Sequence, residues 1–277
     1  MYKRELVFTV ILVVVACGLL MATSRQAIAQ TNQGVRAASA ATPGKEQGKG
    51  MAAINAAAKE GKYLFFFFWK EKDKQTDAMH GVFQSAMQKW AKSADSIAIQ
   101  ITNADEKPVV DKYGVSRAPM PLVVAIAPNG AVTKGCPLKF DEKKLAEAFV
   151  SPATAQIMKA LQGRKLVLLC VQNQKTQFSQ DALNGANSFK ADKRFAKSTE
   201  IVTVDPANQA EATLLKDLKV DPRTSQAVTV VLAPSGQPLA TFAGPVTKEQ
   251  ILAKIASASS GPCAGGKCGP GGCGSKK

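Results

Sequence analysis

The chain has 277 residues, 45% of them hydrophobic and 21% charged, with a formal charge of +15. That is enough apolar material for one or two packed domains and excludes a disordered chain. The lysines are scattered, with no dense basic run, so the charge describes a solvated surface with at most weak attraction to anionic lipid or wall polymer, and not a nucleic-acid binder.

Residues 1–29 read as an export signal: Lys3 and Arg4 precede an apolar run from Leu6 to Ala22, and Ala27-Ile28-Ala29 is an A-x-A cleavage site. Two other readings stay open. Cys17 ends a lipobox-like Val14-Val15-Ala16-Cys17, and the run is at the short limit for an uncleaved anchor. All three place the protein in the periplasm or cell envelope and confine membrane contact to this segment. Losing it leaves a charge of +13 and five cysteines: Cys136, Cys170, Cys263, Cys268 and Cys273. Export permits disulfides, and an odd count leaves at least one thiol free, metal-bound or paired between chains.

Residues 30–50 are small, polar and aperiodic, a disordered linker. Met51–Glu60 is an alanine-rich helix stopped by Gly61. Tyr63–Trp69 is a continuous apolar run, suited to a central strand covered on both faces. Met79, Val82, Phe83, Ala86, Met87 and Trp90 share one helical face. Ser96–Ile101 reads as a strand and Asp105–Tyr113 as a short helical link. Leu122–Ala127 is a third strand, closed by Pro128-Asn129-Gly130 with a return strand ending near Cys136, and Asp141–Phe149 is a helix.

The pattern recurs. Strands are expected at Lys165–Val171, Glu200–Val204 and Val228–Ala233. Helices are expected at Ser179–Lys197 with a break near Gly185, at Gln209–Leu218 and at Lys248–Ala256. Val124–Gly130 matches Val230–Gly236 at an offset of 106 residues, and Leu145 and Phe149 then fall on Ile251 and Ile255. Two α/β units in tandem follow, 51–150 and 163–257, with the boundary near Ser151–Gly163. Residues 258–277 hold no large apolar residue and read as a flexible tail.

The first unit resembles thioredoxin. The resemblance rests on Phe66-Phe67-Phe68-Trp69 at a strand end, the helix after it, Lys112-Tyr113-Gly114-Val115, Pro121 before the third strand and the Pro128-Asn129-Gly130 turn. It implies an α/β fold of two tandem thioredoxin-like domains, each a mixed sheet flanked by helices. The chain departs from the family where the C-x-x-C pair belongs, at Asp73-Lys74-Gln75-Thr76, and the second unit also lacks a cysteine pair and has Ala227 at the cis-proline position. Thiol–disulfide exchange needs a thiolate at a helix N-terminus and a second thiol to resolve the mixed disulfide, so Asp73 and Thr76 mark a degenerate active site. Asp73 also makes a good helix N-cap.

Trp69, Met120 and Pro121 remain as a candidate peptide groove, with an envelope protein or peptide as partner. The expected function is redox-inactive binding or scaffolding. The alternative is metal handling or thiol redox through the tail, where Cys263, Cys268 and Cys273 are spaced C-x4-C-x4-C and could take Zn²⁺ or Cu⁺, or form cross-links. His80, the lone histidine, reads as a helix residue, Cys170 as a small buried hydrophobe, and Cys136 as free or bridged.

Overall fold

The computed structural model describes residues 48–259. The signal and most of the linker (1–47), and the tail with Cys263, Cys268 and Cys273, lie outside the described residues.

Each unit repeats one scheme. The first runs α1 (Lys49–Glu60), β1 (Tyr63–Trp69), α2 (Lys74–Lys89), β2 (Ala94–Gln100), α3 (Lys107–Tyr113), β3 (Leu122–Ile126), β4 (Val132–Pro137) and α4 (Glu142–Ala146). The second runs α5 (Pro152–Gln162), β5 (Leu166–Val171), α6 (Ser179–Ala191), β6 (Thr199–Val204), α7 (Ala212–Asp217), β7 (Val228–Leu232), β8 (Pro238–Ala243) and α8 (Lys248–Ser259). The sheets are ordered β2-β1-β3-β4 and β6-β5-β7-β8. In each, the first pair is parallel and the others antiparallel.

The aromatic run behaves as a central strand should. Phe65 and Phe67 enter one core layer, Leu64, Phe66 and Phe68 the other, and all five are essentially inaccessible. Alternation across two buried faces is why the run is continuous. β5 does the same with aliphatic residues, Val167, Leu169 and Val171 on one side and Leu168 and Cys170 on the other. The repeat also holds in detail. Leu145 and Ile251 are both buried, and both inner hairpins are irregular at the equivalent step, Ala125/Ile126 and Val231/Leu232.

Two expectations are corrected. The span 151–163, where the boundary is expected, holds α5, which covers the second sheet through Ala153, Ile157 and Ala160 and touches Ala127 and Ala131 of the first unit through Ala155. The second unit therefore begins before residue 163. Gln162 tightens the junction. Its amide donates to Val132 O (2.6 Å) and accepts from Val132 N–H (3.0 Å), as a neighbouring strand would. The Tyr63 hydroxyl likewise bonds both Val150 O and Val150 N–H.

The second correction concerns Gly185, where α6 is unbroken. A Cβ there would stand 1.8 Å from Val246 O, so the glycine marks close approach of a backbone and not a helix break. α8 also runs on to Ser259, past the expected end at Ala256.

A paired device shapes both units. Glu106 and Glu211 are buried carboxylates (4% and 3% exposed) placed just before α3 and α7. Glu106 Oε2 accepts from Gly50 N–H in the first turn of α1 at 2.9 Å. Glu211 accepts from Ala153 N–H and the Ser151 hydroxyl at the start of α5. Each supplies, across the chain, the acceptor that a helix start lacks.

Candidate functional site

The loop between β1 and α2 ends at Asp73, whose carboxylate accepts from Thr76 N–H at 2.7 Å and caps α2. Hydrogen bonds from the Thr76 and Gln75 backbones and from the Thr76 side chain hold the Asp73 carboxyl below its ordinary range; the Thr76 backbone bond is the strongest cause. Thr76 is buried on the inner side of the first helical turn. With Trp69, Phe67, Lys72, Asp77, His80 and Ala98 it lines a cavity of about 330 Å³. The His80 ring packs on Phe67, with centroids 4.9 Å apart.

Neither described cysteine is near this helix start in the sequence, and both are buried and unpaired. Burial pushes the Cys136 thiol up and the Cys170 thiol to about 11. Both are therefore protonated at neutral pH, the opposite of a reactive thiolate. Among the described residues no group of three or more His, Cys, Asp or Glu side chains forms a metal site, and no helix is long and apolar enough to cross a membrane.

The other side of the site is the segment entering β3. The Met120–Pro121 peptide is cis. Pro121 O accepts from Leu138 N–H at 2.7 Å, and Leu138 O accepts from the Gln75 side chain at 3.2 Å, which joins this segment to the first turn of α2. The Met120 side chain packs into the core layer of Phe66 and Phe68. Its backbone N–H and C=O bond to nothing among the described residues. Trp69 and Thr76 thus share a cavity, while Met120 and Pro121 meet the helix start through Leu138 and Gln75.

The second unit solves the same stretch differently. At the offset of 106, Ala118, Pro119, Met120 and Pro121 become Thr224, Ser225, Gln226 and Ala227. The Thr224 hydroxyl donates to Gln226 O at 2.7 Å and accepts from Gln226 N–H at 3.3 Å. Gln177, just before α6, donates its N–H to Ser225 O and accepts from Ala227 N–H, both at 2.9 Å. Neither arrangement is available to the first unit as built, because Ala118 has no hydroxyl and Pro121 has no N–H.

Sequence reasoning missed the Thr224 and Gln177 contacts, the buried glutamates and Leu138. The repeat alignment does carry a signal for the last, since it sets Leu138 on Gly244.

No protein-family model matches the chain, and no curated protein does. Solved structures do. Thioredoxin Deadhead of Drosophila melanogaster is 18% identical with a TM-score of 0.30, covering 36% of this chain and 90% of that one. The first two thioredoxin domains of Eps1p from Saccharomyces cerevisiae are 7% identical with a TM-score of 0.28, covering 72% and 95%. The NTD_N/C domain of the alkylhydroperoxide reductase AhpF from Enterococcus faecalis is 16% identical with a TM-score of 0.27, covering 73% and 97%. The two mixed four-stranded sheets flanked by helices agree with the two tandem thioredoxin-like domains expected from the sequence. At these identities and scores nothing of those proteins' activity carries over.

Proposed function

We propose that this is an exported, redox-inactive thioredoxin-like protein that binds an extended polypeptide at its first domain. One observation carries the reading: Met120 offers an unpaired backbone donor and acceptor beside Pro121, where the second domain satisfies the equivalent groups internally. An unpaired main-chain donor and acceptor is what strand addition uses for affinity. Asp73 and Thr76 supply a capped, stable helix start and no sulfur, so the site holds a chain without cutting or oxidising it. The leader supports a place in the periplasm or envelope.

The test fills the vacancy from within. Ala118→Thr introduces the hydroxyl that Thr224 uses in the second domain. In a pull-down from an envelope extract followed by titration with peptides from the captured partner, it should weaken binding several-fold. Undiminished binding would count against the groove. Insulin reduction should stay at background.

A second reading rests on the spacing Cys263-x4-Cys268-x4-Cys273: Zn²⁺ or Cu⁺ held by three thiolates. Metal titration and thiol counting on the full chain and on a version ending at Ser260 test it. Equal binding by both versions would eliminate the tail.

A further inference from the structure

Among the described residues two large hydrophobic side chains are exposed, Leu138 at 45% and Phe178 at 43%. Both hold left-handed backbone, with φ of 63° and 62°. Single exposed apolar residues need no explanation. A leucine in this backbone region does, because its Cβ crowds the next carbonyl oxygen. The repeat shows the cheaper solution, since the equivalent position is Gly244, with φ of 82°. Core packing does not account for Leu138 either, as the residue is 45% exposed and belongs to no core cluster among the described residues.

Its position is informative. Leu138 N–H bonds Pro121 O, and Leu138 O receives the Gln75 side chain, so the residue is pinned between the Met120–Pro121 edge and the start of α2. Strained, solvent-facing residues of this kind cluster at ligand clamps. We infer that Leu138 is the apolar anchor of the Met120 groove, and that the ligand is an extended polypeptide with an aliphatic or aromatic side chain that covers it. This rests on the groove reading above. The occupant is a polypeptide because Met120 asks for a donor and an acceptor together, which a main chain supplies and a hydrocarbon surface does not. A lone leucine beside Lys139 is also too small an apolar area to hold a second copy. In the second domain the Gln177 and Thr224 bonds close the main-chain edge, so Phe178 has no such partner groove.

The probes are fluorescein-labelled nonapeptides of alternating Ser and Thr with Leu, Phe or Asp at the centre. Fluorescence polarisation on the full chain should show the Leu and Phe peptides binding and the Asp peptide binding about tenfold more weakly or worse. Leu138→Gly and Leu138→Ser should each cost about tenfold in affinity for the Leu peptide, while Phe178→Ser leaves it unchanged. Leu138→Gly should melt no lower than wild type, because glycine adopts this backbone freely. That separates lost binding from lost folding. If Leu138→Gly binds as wild type does, or Phe178→Ser weakens binding equally, the anchor assignment falls and the groove stands. If no peptide binds wild type, both fall.

Discussion

The two domains differ most where they should be most alike. Each brings a strand-entry segment up to the start of its second helix. In the second domain that segment is saturated: Thr224 serves Gln226, and Gln177 pairs with Ser225 and Ala227. In the first, Ala118 and Pro121 delete the hydroxyl and the N–H those bonds require, and the Met120 backbone is left over. One fold thus carries a closed edge and an open one, and two side chains decide which. Unpaired backbone is costly to bury and useful at a surface, and the proposed binding role rests on that open edge.

The largest expected effects test whether the two domains are built with different tolerances around these helices. Gly185→Ala drives a Cβ into Val246 O and should cost about 3 kcal/mol. Gly81, inside α2 of the first domain, has open space around the equivalent atom, so Gly81→Ala should gain about 0.5–1 kcal/mol. Urea denaturation of the two variants should move the midpoint in opposite directions; the same direction for both would break the contrast.

Next come the paired glutamates. Glu211→Ala strands the Ala153 N–H at the start of α5 and leaves the Ser151 hydroxyl with only Thr154 Oγ1 as acceptor, and Glu106→Ala strands one donor at the start of α1, so losses of about 1–3 kcal/mol are expected with Glu211 the larger. Thermal unfolding ranks them, and the reverse order would show that the two devices are not equivalent. A smaller change is expected at the helix C-caps. Gly114 ends α3 in left-handed backbone with φ of 63°, and Lys219, the residue after the Leu218 cap of α7, is left-handed with φ of 56°. Lys219→Gly should stabilise the second domain by up to about 1 kcal/mol, visible as a raised midpoint.

The smallest effect is acid sensitivity. Asp73 in the first domain, and Asp192 in the second through Arg194 and Lys248, have carboxyl groups held below their ordinary range. A depressed folded value means the stabilisation is full well above the unfolded value of 3.8 and is lost as pH falls below it. Asp73→Asn and Asp192→Asn should therefore lower the melting temperature at pH 7 and converge on wild type as pH drops towards 2. A constant difference across that range would show that neither charge matters.

Local patterns carried much of this. The apolar runs Tyr63–Trp69 and Lys165–Val171 announced central strands, Gly61 stopped α1, Asp73 could be read as a cap, and the offset between Val124 and Val230 announced the repeat. These signals lie within a few residues of what they specify, or copy themselves along the chain. The site was legible only in part. Asp73, Thr76, Met120 and Pro121 could be named, but not that Met120 would leave its backbone unpaired while packing its side chain against the core.

What escaped the sequence has one physical origin: partners distant in the chain. Glu106 meets Gly50 and Glu211 meets Ser151 through folding alone. Gly185 reads as a helix breaker until Val246 arrives beside it, and the α5 stretch reads only as a domain boundary until the second sheet and the first unit pack against it. Composition and periodicity determined two α/β units and their order, because each strand and helix announces its own buried face. Which backbone groups would be left without a partner was decided by the tertiary structure, because a hydrogen bond is satisfied or orphaned only by what packs against it.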